Sequence, residues 1–350
     1  MSYEYERVVT PASGLRLHLN ENTAGCSPAV HAALQGLTRH DAAFYPSYDR
    51  AIDACARRMG VAADRVLLTN GLDEGILALS VAALRGSGAA SPFEVIVIVP
   101  AFDMYAACAD AAGGRVVEVP LGEGFSFPLD RLLGAINPAT RLVWLTNPNN
   151  PTGQLIPRDA MLEIAAAAPD ALIAVDEAYA DFSGETLLGG NTLDNFRNIV
   201  VGRTFAKAYG LAALRAGALI AHPATLAPIR RIVPPYSLNA AAAAALPAAF
   251  GDEAYYRWYL DQAAESKELL YAAFERMGIE HWRSAANFVL ARVDGGGGQT
   301  VKALAARQVY VRDKSRDPGC DGCMRVTAGV VEDTRAFIAA LEEVRCGAAR

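Results

Sequence analysis

Short apolar runs alternate with amphipathic stretches through the middle of the chain. The runs are Val66–Leu68, Val95–Val99, Val116–Val119, Leu142–Leu145, Leu172–Val175, Ile199–Val201 and Ala218–Ile220. Each is short and rich in Val, Ile or Leu, with Glu118 the one charged position among them, the pattern of strands buried on both faces. Helical periodicity links them, for example over Glu74–Leu84 and Arg158–Ala167. This alternation predicts a mostly parallel sheet of seven strands between two layers of helices. After Pro234-Pro235 the pattern changes to a long helical stretch from Ala240 towards Met277. A strand (Phe288–Val293), a turn over Gly295–Gly298 and a helix over Asp333–Val344 follow. The expected organisation is an N-terminal segment (1–39) packed on a small domain, a large α/β domain (40–235) and a small α+β domain (236–350).

Composition narrows the class. With 350 residues and 52% hydrophobic positions, the chain can bury a core without disulfide or metal staples. Lys and Arg number 32 against 38 Asp and Glu, a balance that argues against a general nucleic-acid binder. No apolar stretch approaches the ~18 residues of a membrane span, and charges stand where a signal peptide would carry its apolar core. A cytoplasmic enzyme is the expectation. The six cysteines are scattered; Cys320 and Cys323 form a lone CxxC pair with no second pair to complete a zinc site, so free thiols are the simpler reading.

In open parallel sheets ligands bind beyond the carboxyl ends of the strands, so the polar residues that follow the apolar runs carry the candidate chemistry. Gly71, Leu72 and Asp73 open a helix after the first strand and could cradle a phosphate, although an ordinary helix start explains them as well. Thr146-Asn147-Pro148-Asn149-Asn150-Pro151-Thr152-Gly153 is a stiff, amide-rich turn, the bland alternative being a turn alone. Asp176 closes a buried strand, where a carboxylate is costly without a cation or strong donors; capping the next helix is its simpler role. Lys207 sits among small residues, where desolvation would make it an amine nucleophile or base; a surface lysine is the competing reading. Arg325 lies inside a short apolar strand and could take a carboxylate or phosphate, or form a structural salt bridge. Together these residues compose what pyridoxal phosphate requires of a protein.

The chain resembles the fold-type I aminotransferases dependent on pyridoxal phosphate, within the histidinol-phosphate aminotransferase subgroup. The resemblance covers nearly the whole length. It rests on Asn149–Gly153, Val175–Tyr179, Thr204–Ala208 and Gly210–Arg215, with Asp176 26 positions after Asn150, Lys207 31 positions after Asp176 and Arg215 8 positions after Lys207. Leu19–Asn22, Tyr45-Pro46, Pro100–Tyr105, Pro235-Tyr236 and Val311–Asp313 add subgroup character.

The resemblance implies that Lys207 holds the cofactor covalently and moves the proton at Cα, while Asp176 pairs with the ring nitrogen. Asn150 and Tyr179 would bond the ring's phenolic oxygen, and Phe102 would stack on the ring. Gly71, Leu72, Asp73, Thr204 and Arg215 would hold the cofactor phosphate, joined by Tyr45 from a neighbouring subunit of a homodimer. Arg325, with Arg312 and Asn22, would bind the acidic group of the substrate. The implied reaction moves an amino group from histidinol phosphate to 2-oxoglutarate in two half-reactions. Alternatives are transamination of aromatic or other amino acids, and decarboxylation or oxidation on the same fold. Two features depart from the family pattern: Ala206 replaces a usual serine, at a loss of ~1 kcal/mol for one hydrogen bond, and Thr23–Cys26 is smaller and more polar than its counterparts. A degenerate binding or regulatory domain is disfavoured by the presence of both Lys207 and Asp176, and a dinucleotide-binding dehydrogenase by the absence of GxGxxG after an early strand.

Overall fold

A computed structural model describes residues 11–86, 92–293 and 296–348. Thirteen strands are labelled here in chain order. The first, β1 (Leu15–Arg16), precedes the strands of the large sheet: β2 (Val66–Asn70), β3 (Glu94–Val99), β4 (Arg115–Pro120), β5 (Thr140–Thr146), β6 (Leu172–Asp176), β7 (Ile199–Thr204) and β8 (Ala216–Ala221). The rest are β9 (Glu280–Trp282), β10 (Phe288–Arg292), β11 (Val309–Tyr310), β12 (Arg312–Asp313) and β13 (Cys323–Thr327).

The large sheet has seven strands in the order β2-β8-β7-β6-β5-β3-β4. Five of them, β3 to β7, run parallel, and β8 runs against both β7 and β2. The reversal at β8 has a local cause: only residues 205–215 separate β7 from β8, too short a link for the helical crossover a parallel neighbour needs. Alternate residues along each strand serve two separate cores. Val143, Leu145, Ile173, Val175 and Val201 pack beneath the helices Asp49–Met59, Arg158–Ala167 and Ala240–Gly251. Leu142, Trp144, Ala174, Val200 and Leu219 face Gly71–Ala83, Met104–Ala111 and Pro223–Arg230 on the other side. This two-sided burial is why the strands read as unbroken apolar runs.

The helical stretch after Pro235 is not continuous. Asp252 interrupts it with φ −90° and ψ 64°, and its side chain accepts the N–H of Tyr255 to cap a second helix, Glu253–Met277. That helix and the closing helix Val331–Ala348 cover a four-stranded antiparallel sheet of order β12-β13-β10-β9. The strand expected to reach Val293 ends at Arg292. Gly297 and Gly298 open a helix, Gly297–Ala305, instead of belonging to a turn, while Gly295 lies outside the described residues.

The N-terminal segment is tied to β11 and β13. β1 pairs in parallel with β11, the Leu17 carbonyl accepts the N–H of Thr327, and the Asn20 N–H is donated to Thr327 Oγ1. Among the described residues, no helix is long and apolar enough to cross a membrane.

Candidate active site

The last residues of β5, β6 and β7 are Thr146, Asp176 and Thr204, and the register sets Thr146 opposite Asp176 and Asp176 opposite Gly202. Their carboxyl ends, the first turn of the helix Gly71–Ala83, the N-terminal strap and β12–β13 enclose a cavity of about 280 Å³. Of the residues singled out from sequence, Leu72, Asp73, Phe102, Asn150, Asp176, Tyr179, Thr204, Lys207, Arg215, Arg312 and Arg325 line it. Segments far apart in the chain thus converge on one volume.

Asp176 is buried at its floor. One carboxylate oxygen accepts the Ala178 N–H at 2.9 Å and the other accepts the Tyr105 hydroxyl at 2.5 Å. Burial pushes its pKa up to about 6, against the pull of those two donors. Lys207 follows β7 and is half-buried, its Nζ donating to the Leu19 carbonyl at 2.9 Å. Loss of hydration lowers its pKa to about 8, and the nearby Arg325 guanidinium acts in the same direction. An amine titrating there is substantially neutral at mildly alkaline pH. Tyr179 is buried, accepts a hydrogen bond from Asn20 Nδ2 at 3.0 Å, and has its ionisation raised by burial, so its phenol stays protonated.

At one end of the cavity, Gly71 takes φ +73°, a conformation that glycine adopts at least cost, and its N–H is donated to the Arg215 carbonyl. Arg215 is itself left-handed, and its Nη2 contacts Asp73 Oδ2 at 2.6 Å. A Cβ at Gly217 would stand 2.7 Å from both Gly71 C and Leu72 N. The glycines therefore let β8 and the helix start approach closely, setting the first helical turn beside a guanidinium.

At the other end stands Arg325, in the middle of β13. Its Nη1 is donated to Asn150 Oδ1 at 2.5 Å and its Nη2 to the His18 carbonyl at 2.8 Å. Arg325 is buried, and its Nε has no hydrogen-bond partner among the described residues. Arg312 is its register partner on β12, and Lys314 lines the same wall. Two guanidiniums facing each other across a ladder are unfavourable unless an anion lies between them.

Three of the sequence-derived residues do not line the cavity: Gly71 starts the helix at its edge, while Asn22 and Tyr45 stand elsewhere. Asn22 does not line the cavity: it is buried, donating Nδ2 to the Ala208 carbonyl and accepting the Ala24 N–H, so it braces the loop that carries Lys207. Asn20, two residues earlier, is the one that faces the site. Tyr45 lies 77% exposed, stacked on Tyr236 at 4.1 Å between ring centroids. Other lining residues, His18, Tyr105, Thr146 and Lys314, were not singled out from sequence. Tyr105 and Asn20 fell inside recognised motifs, yet only the packing shows which members of those motifs turn inward.

Beneath the site, Arg203 is buried between Glu177 and Asp181, with contacts of 3.1 and 3.0 Å. Glu177 also accepts the Thr186 hydroxyl and the Leu187 N–H. This network fixes the backbone on which Asp176 and Tyr179 stand.

A buried carboxylate, a deprotonable lysine, a helix-start anion cradle and an arginine-lined opposite wall at the switch edge of such a sheet define a pyridoxal-phosphate-dependent aminotransferase of fold type I. The model for aminotransferase class I and II matches residues 12–341, and the chain belongs to that family. It is 36% identical over 337 residues to histidinol-phosphate aminotransferase 2 of Ralstonia nicotianae, covering 94% of this chain and 88% of that one. The structure of histidinol-phosphate aminotransferase from Sinorhizobium meliloti in complex with pyridoxal-5'-phosphate superposes with a TM-score of 0.83 at 25% identity, covering 95% of this chain and 90% of the other. L-threonine-O-3-phosphate decarboxylase of Porphyromonas gingivalis shares the fold, with a TM-score of 0.77 at 23% identity over 93% of this chain and 98% of that one.

Proposed function

We propose that the enzyme takes its amino group from histidinol phosphate, or an amino donor with a similar anionic terminus, and passes it to 2-oxoglutarate in a ping-pong cycle. The observation that carries this reading is the unsatisfied Arg325 Nε beside Arg312, a buried cationic wall opposite the helix-start cradle. Two separate anion sites suit a phosphorylated cofactor at one end and an acidic substrate at the other. The relatives named for histidinol phosphate support the choice of donor.

The residues present fit pyridoxal phosphate. Gly71, Leu72 and Asp73, with Thr204 and Arg215, would hold its phosphate. When bound, it supplies an aldehyde that condenses with amines and a cationic ring that accepts the electron pair left when a bond at Cα breaks. Lys207 would hold the group covalently, and its Nζ, neutral once freed, would move the proton at the substrate's Cα. Asp176 would keep the ring nitrogen protonated through charge pairing in a water-poor site. Asn150 and Tyr179 would bond the phenolic oxygen, with Asn20 fixing the Tyr179 hydroxyl. Phe102 would cover a ring face, and Arg325 would orient the substrate through its acidic group.

A homodimer belongs to this reading. Phe44, Tyr45 and Tyr236 are large, exposed and close in sequence or in space, and a second copy covering them would place Tyr45 where a neighbour's phosphate site could use it. We place the enzyme in the cytoplasm, with an N-terminal segment (1–39), a large domain (40–235) and a small domain (236–350).

The test is an absorbance spectrum of the cofactor-loaded protein before and after histidinol phosphate, followed by 2-oxoglutarate. The expected result is a spectral change reversed by the oxo acid, with glutamate formed in equal amount. A loaded protein indifferent to histidinol phosphate but responsive to an aromatic amino acid would replace the proposed donor.

A further inference from the structure

Tyr105 is fully buried, its ring stacked on Trp144 at 4.5 Å and 14°. Trp144 and Thr146 are two residues apart on β5 and so project from the same face. Thr146 is also the register partner of Asp176. The Tyr105 hydroxyl, brought in by the helix Met104–Ala111, lies between them. It accepts a hydrogen bond from Thr146 Oγ1 at 3.1 Å and donates to Asp176 Oδ2 at 2.5 Å. Every donor in the chain therefore points towards the carboxylate, and the Ala178 N–H satisfies the second oxygen. The direction is fixed, because burial beside Asp176 raises the ionisation of Tyr105 so far that its phenol remains a donor.

We propose that Tyr105, backed by Thr146, is a positioning residue for Asp176, a relay of donated hydrogen bonds that keeps the carboxylate anionic and aimed at the cofactor's ring nitrogen. This rests on the reading that Asp176 faces that nitrogen. Without the relay, a carboxylate this deeply buried would lean towards its neutral form and lose the charge that holds the ring proton. The stack on Trp144 gives the phenol one orientation, so the hydrogen bond costs little ordering of its own.

The experiment compares Tyr105→Phe, Thr146→Val, Thr146→Ser and Asp176→Asn in the cofactor-loaded enzyme. Three quantities are read: the pH titration of the bound cofactor's visible absorbance, its dissociation constant, and the acid limb of kcat/KM. In Tyr105→Phe the acid limb and the spectral transition linked to Asp176 should move up by about one pH unit, the tenfold change in proton affinity that one charge-assisted hydrogen bond provides. Cofactor affinity should fall by a similar factor. Thr146→Val, which leaves the Tyr105–Trp144 stack intact, should shift both in the same direction by less, and Thr146→Ser should restore them. A purely structural role for Tyr105 would lower thermal stability without moving either pH transition. If Tyr105→Phe and Thr146→Val titrate like wild type while Asp176→Asn does not, the relay is wrong and the role of Asp176 stands. If Asp176→Asn also leaves spectrum and affinity unchanged, the reading of Asp176 fails and the relay with it.

Discussion

Replacing Lys207 with methionine should stabilise the cofactor-free protein while destroying its function. The folded chain holds the amine with a pKa near 8, against an ordinary 10.5, chiefly because the cavity strips away its water. A shift of that size corresponds to ~3 kcal/mol for keeping the charged form at neutral pH. Water reaching the half-buried side chain and the hydrogen bond to Leu19 offset part of it, leaving an expected gain of about 1–2 kcal/mol for methionine at pH 7. The sign follows from proton linkage. Between pH 8 and 10.5 the unfolded chain still binds a proton that the folded chain has released, so wild-type stability attributable to Lys207 rises across that window. The advantage of Lys207→Met should therefore shrink as pH increases from 7 to 10. Urea denaturation of both cofactor-free proteins at a series of pH values, followed by far-ultraviolet circular dichroism, measures it. A methionine variant less stable than wild type at pH 7, or a difference independent of pH, would refute the claim that desolvation prepares this amine.

Other outcomes follow from the same geometry. Arg203→Met leaves Glu177 and Asp181 buried without their cation and should cost ~3–5 kcal/mol in urea unfolding; a loss below ~1 kcal/mol would show that the network is not a structural pillar. Gly217→Ala pushes a methyl group against Gly71 and Leu72, and cofactor affinity measured by fluorescence titration should fall about tenfold or more, with β8 otherwise intact. Arg325→Met should lower kcat/KM for the acidic amino donor by about 100-fold, the equivalent of ~2.7 kcal/mol, with cofactor affinity unchanged; weakened cofactor binding with unaltered kinetics would assign Arg325 to the cofactor instead. Opposite pH behaviour is expected of Asp176: its folded pKa of about 6 lies above the ordinary 3.8, so its contribution to cofactor-free stability is present below pH 3.8 and lost as pH rises through 6. Asp176→Asn should remove that slope from unfolding curves recorded between pH 4 and 7.

The large sheet was legible because burial on both faces leaves an unambiguous mark: runs such as Val95–Val99 and Leu172–Val175 carry no solvent-facing position. The site residues that close those strands were legible for the converse reason, since Asp176 and Lys207 are expensive where they stand. Long-range convergence was not. Nothing local in Leu19–Asn22 tells that Asn20 turns into the cavity while Asn22 turns to the Ala208 carbonyl; that choice is made by the anchoring of Asn20 N–H on Thr327, more than 300 residues away. Tyr105 was hidden in the same way. Its neighbour Phe102 has an obvious role as a ring cover, whereas the partners of the Tyr105 hydroxyl come from two other strands. The break at Asp252 did leave a local trace, because Gly251-Asp252-Glu253 combines a helix stop with a capping residue, but the alanine-rich periodicity on either side outweighs it.

One lysine, Lys207, is expected to hold the cofactor over Asp176. Reduction of the pyridoxal-phosphate-loaded protein with borohydride, followed by proteolysis and mass spectrometry, tests it most directly. The cofactor's mass should appear on the peptide containing Lys207, with no labelled peptide in Lys207→Met. A label on Lys314 or Lys267, or undiminished labelling of the variant, would contradict it.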